Sequence, residues 1–356
     1  MRLIEYTPGY FDDLRRAAER MEGVLSLRHR PFVDYYYATR DWCKLYMVLD
    51  GDHRVLGTIG VDKMRFVCGS NELTLAFGSN YHSLRPGVGG YLFMKWVKSC
   101  DGGIVFGGSA DTHSILRSHP GTFFTGVKTY YLNRPYRSGG HESWLRAGAK
   151  WLLERSLHRS ISKHGSRIQR DIPEEMSVRE EYDYSEDLPP RSSPFYFRFA
   201  PRLDYLRWRY NTGVSFVRYR LFRIVVRGST AGYVIINDSP ERLIVAHCDG
   251  EDASTLAYGV LLSLMEAGSE EERPRPVLLT SCHPEMQRIY ESVGFKAESE
   301  DRPLAIAALP KSIDLADETA TWLINYDWGD NGLRAPFLDQ DMKNAAIEGD
   351  QSNRRV

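Results

Sequence analysis

Short apolar runs broken by turn residues fill two stretches of the chain. The first stretch reads "RVLGTIGV" (54–61), "ELTLAFGS" (72–79) and "IVFGGSADTHSIL" (104–116). The second reads "STAGYVII" (229–236), "RLIVAHCD" (242–249) and "VLLTSCHPEMQRIY" (277–290). Runs of this length, rich in β-branched residues and bounded by Gly, Asp and Ser, predict strands. In "KLYMVLDGDHRVLGTIGV" an Asp-Gly pair divides two such runs, which predicts a hairpin. Helical spacing marks "YFDDLRRAAERM" and "PRLDYLRWRY" ahead of the strands, and "GVGGYLFMKWVKSC" and "ASTLAYGVLLSLMEAG" within them. Each stretch closes on a further strand, "FFTGVKTYYL" in one and "GFKAESEDRPLAIAAL" in the other.

The two stretches match in order and spacing, at an offset of about 170–175 residues, the size of a duplicated domain and far too long for a solenoid repeat. The predicted fold class is α/β (mixed α+β): two tandem domains, each a mostly antiparallel mixed sheet flanked by helices. Composition shifts set the expected boundaries. A first domain covers 1–136, a charged linker ending in "DLPPRSSP" covers 137–194, a second domain covers 195–310, and a polar, partly disordered tail covers 311–356.

With 356 residues, 42% apolar and 12% aromatic, the chain can bury two cores. A net charge of −1 argues against a whole-chain nucleic-acid field, so no DNA partner is expected. The five cysteines are scattered and odd in number, without a C-x-x-C pair, and the ten histidines show no metal-ligand spacing, so no metal is expected. The start is charged too early for a secretory signal and no run of about 18 uncharged apolar residues occurs. A cytoplasmic location is the expectation.

"SLRPGVGGYLF" (83–93) carries the clearest chemical signal. A glycine-rich turn opening a helix lets backbone N–H groups approach a phosphate, while the helix dipole favours the negative charge. A structural tight turn is the plain alternative. No Lys-Ser/Thr follows, so the P-loop pattern fails. A G-x-G-x-x-G fingerprint fails at Leu92, although Asp111 stands near where a ribose-binding acid belongs.

In context, this loop resembles the Q/R-x-x-G-x-G/A motif of the GCN5-related N-acetyltransferase (GNAT) superfamily. The motif falls on Leu84-Arg85-Pro86-Gly87-Val88-Gly89: both glycines match, the first position is Leu84, and Pro86 removes one N–H donor. "SCHPEMQRIYESVGFKA" (281–297) is similar to the family's later strand-helix segment, with Gly294 as helix cap and Phe295 as core residue. "LRWRY" (206–210) resembles a motif of bacterial tandem GNAT-like proteins, many tied to polysaccharide or cell-surface pathways. The resemblance implies acetyl-CoA or another acyl-CoA as cosubstrate, bound by Leu84, Arg85, Gly87, Val88, Gly89 and Gly90. It also implies transfer of the acyl group to the amine of a small molecule, an amino sugar being one candidate. The second domain has "CDGEDASTLAY" at the equivalent place, whose acids repel a pyrophosphate, so it is expected to bind no coenzyme A.

Amine attack on a thioester needs a base, donors for the oxyanion and often an acid for the thiolate. His82 and Glu72 flank the fourth strand of the family pattern and are the base candidates; His119 lies in the region of the general acid. Each also has a plain reading: His82 lining the loop, Glu72 a solvated strand start, His119 part of a helix stop. Asp111 is expected to cap a helix starting at Thr112. In 142–170, seven Lys/Arg and two Glu accompany Trp144 and Trp151, a pattern that fits a connector helix or weak contact with an anionic membrane surface. Trp322 is expected to pin the tail back onto the second domain. Two other readings stay open: a catalytically inactive binding or scaffold protein, and an aminoacyl transferase resembling the peptidoglycan-bridge enzymes, for which the basic linker is the one feature in favour.

Overall fold

The computed structural model describes residues 1–21, 26–132, 172–173, 175–240, 242–268, 275–310, 313, 315 and 319–326. The 142–170 segment and most of the tail, apart from 313, 315 and 319–326, lie outside them. The first half runs β1 (Arg2–Glu5), α1 (Phe11–Ala18), α2 (Arg30–Ala38), β2 (Cys43–Leu49), β3 (Val55–Cys68), β4 (Asn71–Ser83), α3 (Val88–Val97), β5 (Gly102–Phe106), α4 (Ala110–Ser118) and β6 (Phe123–Leu132). The second runs β7 (Met176–Glu181), β8 (Phe197–Phe199), α5 (Leu203–Arg209), β9 (Tyr219–Val226), β10 (Ser229–Ser239), β11 (Arg242–Gly250), α6 (Ala253–Gly268), β12 (Val277–Ser281), α7 (Pro284–Ser292), β13 (Lys296–Ala297), β14 (Arg302–Ala307) and β15 (Trp322–Leu323).

The Asp-Gly hairpin forms between β2 and β3, where the Asp50 carboxylate accepts from the backbone of Asp52 and Arg54 at 2.9 Å each. Both halves carry the antiparallel meander followed by a strand-helix-strand section that the sequence predicts. The helix after β5 starts earlier than expected. Its cap is Ser109, whose hydroxyl accepts from the Thr112 amide at 3.3 Å, and Asp111 sits inside the first turn. In the second half Gly294 turns with φ +97° after α7, and Phe295 is buried.

The last strands are exchanged. The sheet runs β1-β2-β3-β4-β5-β14-β6-β12-β11-β10-β9-β7. Strand β14, from the second half, lies antiparallel against β5 of the first, with Leu304 opposite Phe106. Strand β6, from the first half, pairs through Phe123–Ile306 and its neighbours with β14 and through Lys128–Ser281 and its neighbours with β12. One 10-residue strand thus joins the two halves into a continuous sheet.

Alternation along the strands sorts side chains into three cores. A central core joins the halves: Phe77, Phe106, Leu304 and Ile306 meet Phe197, Tyr205 and Trp208 there. An outer core packs α3 on the other face of the first half, with Trp96, Phe93, Ala305 and Ala307. A third packs α6 and α7 on the second half. Trp322 is fully buried in the central core, 4.7 Å from the Phe197 ring centroid and 5.5 Å from that of Phe123, so it binds the tail to both halves.

Candidate functional site

Strands β4 and β5 are parallel and paired only from Leu75–Gly102 to Phe77–Ile104; beyond that they part. The gap is a cavity of 380 Å³. Its walls draw on both faces of the sheet. Tyr81 and Val105 belong to the α3 side, and Phe77 and Phe106 to the central core. The cavity therefore passes through the sheet.

Two local features hold the strands apart. The β3–β4 register slips between Thr58 (opposite His82) and Gly60 (opposite Ser79), so β4 bulges at Asn80 and Tyr81. Asn80 has φ +47°, a conformation Asn tolerates better than most residues. Its amide donates to the Tyr37 hydroxyl at 2.6 Å and its carbonyl accepts from the Thr58 hydroxyl at 2.8 Å. On the α3 side Trp96 lies under the split, its indole N–H donating to the Ala76 carbonyl at 2.7 Å. Any side chain at Gly103 would overlap that ring.

The glycine loop follows β4 directly. Gly87 caps α3 with φ +83°, a left-handed turn that costs Gly little. A Cβ at Gly87 or Gly90 would meet nothing within 4 Å, and one at Gly89 would come within 2.9 Å of the cavity-lining Tyr81 hydroxyl. Helix geometry leaves the first amides of α3 without intrahelical acceptors; that of Val88 turns back to the Arg85 carbonyl at 3.3 Å. Leu84 packs partly against the central core, and its amide bonds the Leu56 carbonyl at 2.8 Å, so it anchors the loop. Arg85 and Pro86 are exposed.

The three catalytic candidates are not brought together. His82 lines the cavity beside the bulge. Glu72 is at the other end of β4, ten positions away or about 33 Å at ~3.3 Å per residue. It is exposed and bonded to Arg65, which holds its carboxyl below the usual range. His119 ends α4, its ring centroid 6.1 Å from that of Phe93, a lining residue. His113 is buried behind the same wall; a Cβ on Gly108 would stand 3.5 Å from its Nε2.

Three lining residues carry no signal in the sequence reading: Ser79, Tyr81 and Arg302. The first two follow from the bulge, whose one sequence trace is Asn80. Arg302 arrives with the exchanged strand and has no local trace.

The second half also has a split, since β11 and β12 pair only at Leu243–Val277 and Ile244–Leu278. This split is filled by the chain itself. The Asn325 side chain accepts from the Cys248 amide at 3.2 Å and donates to the Cys248 carbonyl at 3.4 Å, while Thr280 on β12 donates to the Ile324 carbonyl at 2.6 Å. Asn325 also reaches His247 Nδ1 at 2.9 Å, and His247 Nε2 meets the Tyr233 hydroxyl at 2.9 Å. Burial pushes the His247 imidazole down to about 3, with Arg198 adding to the effect, so the ring is neutral; the amide donating to Nδ1 places its proton on Nε2.

The acidic loop that replaces the glycine loop is likewise engaged. Asp249 is buried against Arg198 and Ser193, and burial lifts its carboxyl to about 6 against the pull of Arg198. The Asp252 carboxylate caps α6 through the Thr255 amide at 2.8 Å. Among the described residues no group of three or more His, Cys, Asp or Glu could hold a metal, and no helix is long and apolar enough to cross a membrane.

No protein-family model and no curated protein matches the chain. Solved structures do. A GCN5-related N-acetyltransferase from Anabaena variabilis superposes with a TM-score of 0.51 at 8% identity, over 85% of this chain and 72% of that one. One from Kribbella flavida gives 0.49 at 14% identity, over 85% and 71%. A tandem GNAT protein from the clavulanic acid biosynthesis pathway gives 0.48 at 14% identity, over 87% and 99%. At this identity the first of these establishes the fold: the chain folds as GCN5-related N-acetyltransferases do.

Proposed function

We propose that the chain is an N-acyltransferase that takes an acyl group, acetyl in the simplest case, from coenzyme A in the first half and passes it to the amine of a small molecule. The observation that carries this reading is the cavity where β4 and β5 part, lined by Tyr81 and His82 of the same strand end that runs on into the glycine loop capping α3. The amides of Gly89 and Gly90 and the helix dipole suit a pyrophosphate. The thioester arm would lie between the parted strands, and the acceptor would approach from the central-core side. The amine lone pair attacks the thioester carbonyl, the C–S bond breaks, and the amine proton passes to a base while the thiolate leaves. His82 is the described imidazole on the cavity wall and takes the part of the base.

An amino sugar, with a place in polysaccharide or cell-surface chemistry, is the acceptor class the sequence resemblance suggests. Pro86, which supplies no N–H, and the inward-packed Leu84 favour a second reading, a binding protein without catalysis.

Calorimetric titration of acetyl-CoA into wild type and Gly90→Glu decides between them. Position 90 has room for a side chain and no positive φ, so the variant should fold while its carboxylate opposes the pyrophosphate. Micromolar binding weakened at least tenfold in the variant is the expected result. No binding by wild type at millimolar ligand leaves the binding-protein reading.

A further inference from the structure

The second half contributes a side chain to the first half's cavity. Arg302 stands at the start of β14, and its even-numbered neighbours Leu304 and Ile306 lie in the central core while Ala305 and Ala307 face α3. Strand alternation therefore places Arg302 at the central-core end of the cavity, away from the α3 loop. Its guanidinium carbon lies 4.6 Å from the Phe106 ring centroid and 5.2 Å from that of Tyr326. Two aromatic rings within cation–π distance hold the guanidinium in place while leaving its N–H groups to hydrogen-bond. One edge nitrogen, Nη2, reaches the Phe106 carbonyl at 3.5 Å, and a five-donor group can serve that carbonyl and a ligand at once. Gly107 makes room for it: a Cβ there would stand 2.8 Å from Nη2. Among the described residues lining the cavity, Arg302 is the cation, and none is a carboxylate.

We propose that Arg302 selects acceptors that carry a carboxylate in addition to the reacting amine. The planar guanidinium matches a carboxylate with two parallel N–H···O bonds, a geometry that a neutral amide or a simple amino sugar cannot reproduce. The acceptor's amine then lies toward the strand split and His82, and its acid end toward the second half. The inference rests on the acyltransferase reading for its reaction and on Arg302 alone for its anion. It gives the duplicated half a role in specificity: the exchanged strand carries the selecting residue across.

The test uses the full chain. Thiol release from acetyl-CoA is measured with α-, β- and ω-amino acids, each paired with its primary amide, and with glucosamine. Wild type should favour at least one amino acid over its amide by tenfold or more in kcat/KM, the size expected for a charge-assisted hydrogen bond. Arg302→Gln should erase that preference while acetyl-CoA affinity stays within about twofold, and Arg302→Lys should keep part of it. Equal use of acid and amide by wild type, or a preference that survives in Arg302→Gln, overturns the proposal. If acetyl-CoA binds neither protein, the acyltransferase reading falls separately. Ligand-observed NMR with the same amino acids then judges Arg302: binding lost in the glutamine variant supports the anion site, and binding equal in both, or absent from wild type, removes it. Thermal unfolding of both variants guards against a folding defect, with Arg302→Lys as the conservative fallback.

Discussion

Trp96 shows how one side chain sets the shape of a cleft. Its indole lines the cavity between the parted strands and satisfies the Ala76 carbonyl one residue before the last β4–β5 pair. Trp96→Phe keeps most of the apolar volume and strands that carbonyl. It should lose about 1–3 kcal/mol in urea unfolding; a loss below about 0.5 kcal/mol would show that the hydrogen bond is not needed. His247 makes a second prediction. Its folded pKa of about 3 lies below the ordinary value of 6.5, so below pH 6.5 the unfolded chain binds a proton the folded chain refuses. The stability it contributes is present above pH 6.5 and lost as pH falls, at up to about 1.4 kcal/mol per pH unit. Buried Asp62 and Asp249, both raised to about 6, run the other way: their contribution is complete below pH 3.8 and lost as pH rises through 6. Comparing wild type with His247→Gln cancels the two carboxyls. The stability gap between them should shrink as pH drops from 7 to 5; a constant gap would mean that the ring takes up its proton in the fold at the same pH as in the unfolded chain.

At the scale of elements, what could be read from sequence was what is local. The Asp-Gly hairpin, the glycine turn before α3 and the Gly294 stop after α7 each rest on a few adjacent residues whose dihedral needs are fixed by type. The Asn80 bulge is a weaker case: Asn permits a left-handed residue but does not demand one, and the slip is set by Thr58, Tyr37 and the β3 register. The exchange of β6 and β14 left no trace at all. Both strands read correctly as strands, but their partners lie far away in sequence, from 145 residues (Leu132–Val277) to 204 (Gly103–Ala307), and nothing in a strand's own alternation names its neighbour. The same limit hid Arg302. The exchange has a measurable consequence. If each half borrows its closing strand, neither can open alone, so the slowest-exchanging amides of β4 and β11 should report one common opening free energy in native-state hydrogen exchange. Two levels separated by more than about 2 kcal/mol would mean independently unfolding halves.

Over the whole molecule, two halves of similar strand order hold two unlike clefts. One keeps a glycine turn and a 380 Å³ cavity; the other has an acidic loop and holds the chain's own Asn325 between its strands. An asparagine side chain that bonds both the N–H and the carbonyl of one strand residue does what a neighbouring strand, or the amide of a bound ligand, would do. Coenzyme A should therefore bind with a stoichiometry of one per chain, and Asn325→Ala should lower stability without changing that number. Calorimetry that returned two equivalents for wild type would show the second cleft to be available after all.

The exchanged strand also governs when the protein can be finished. Strand β5 ends at Phe106, and the strand that covers its edge begins at Arg302. A ribosome adding about 5–20 residues per second takes roughly 10–40 s to cross that distance. Throughout that interval the first half hangs from the ribosome with an uncovered edge, a template for pairing with a neighbouring nascent chain. The residue that would choose the acceptor is thus made long after the other walls of the cavity, which is completed only when β14 has docked on β5.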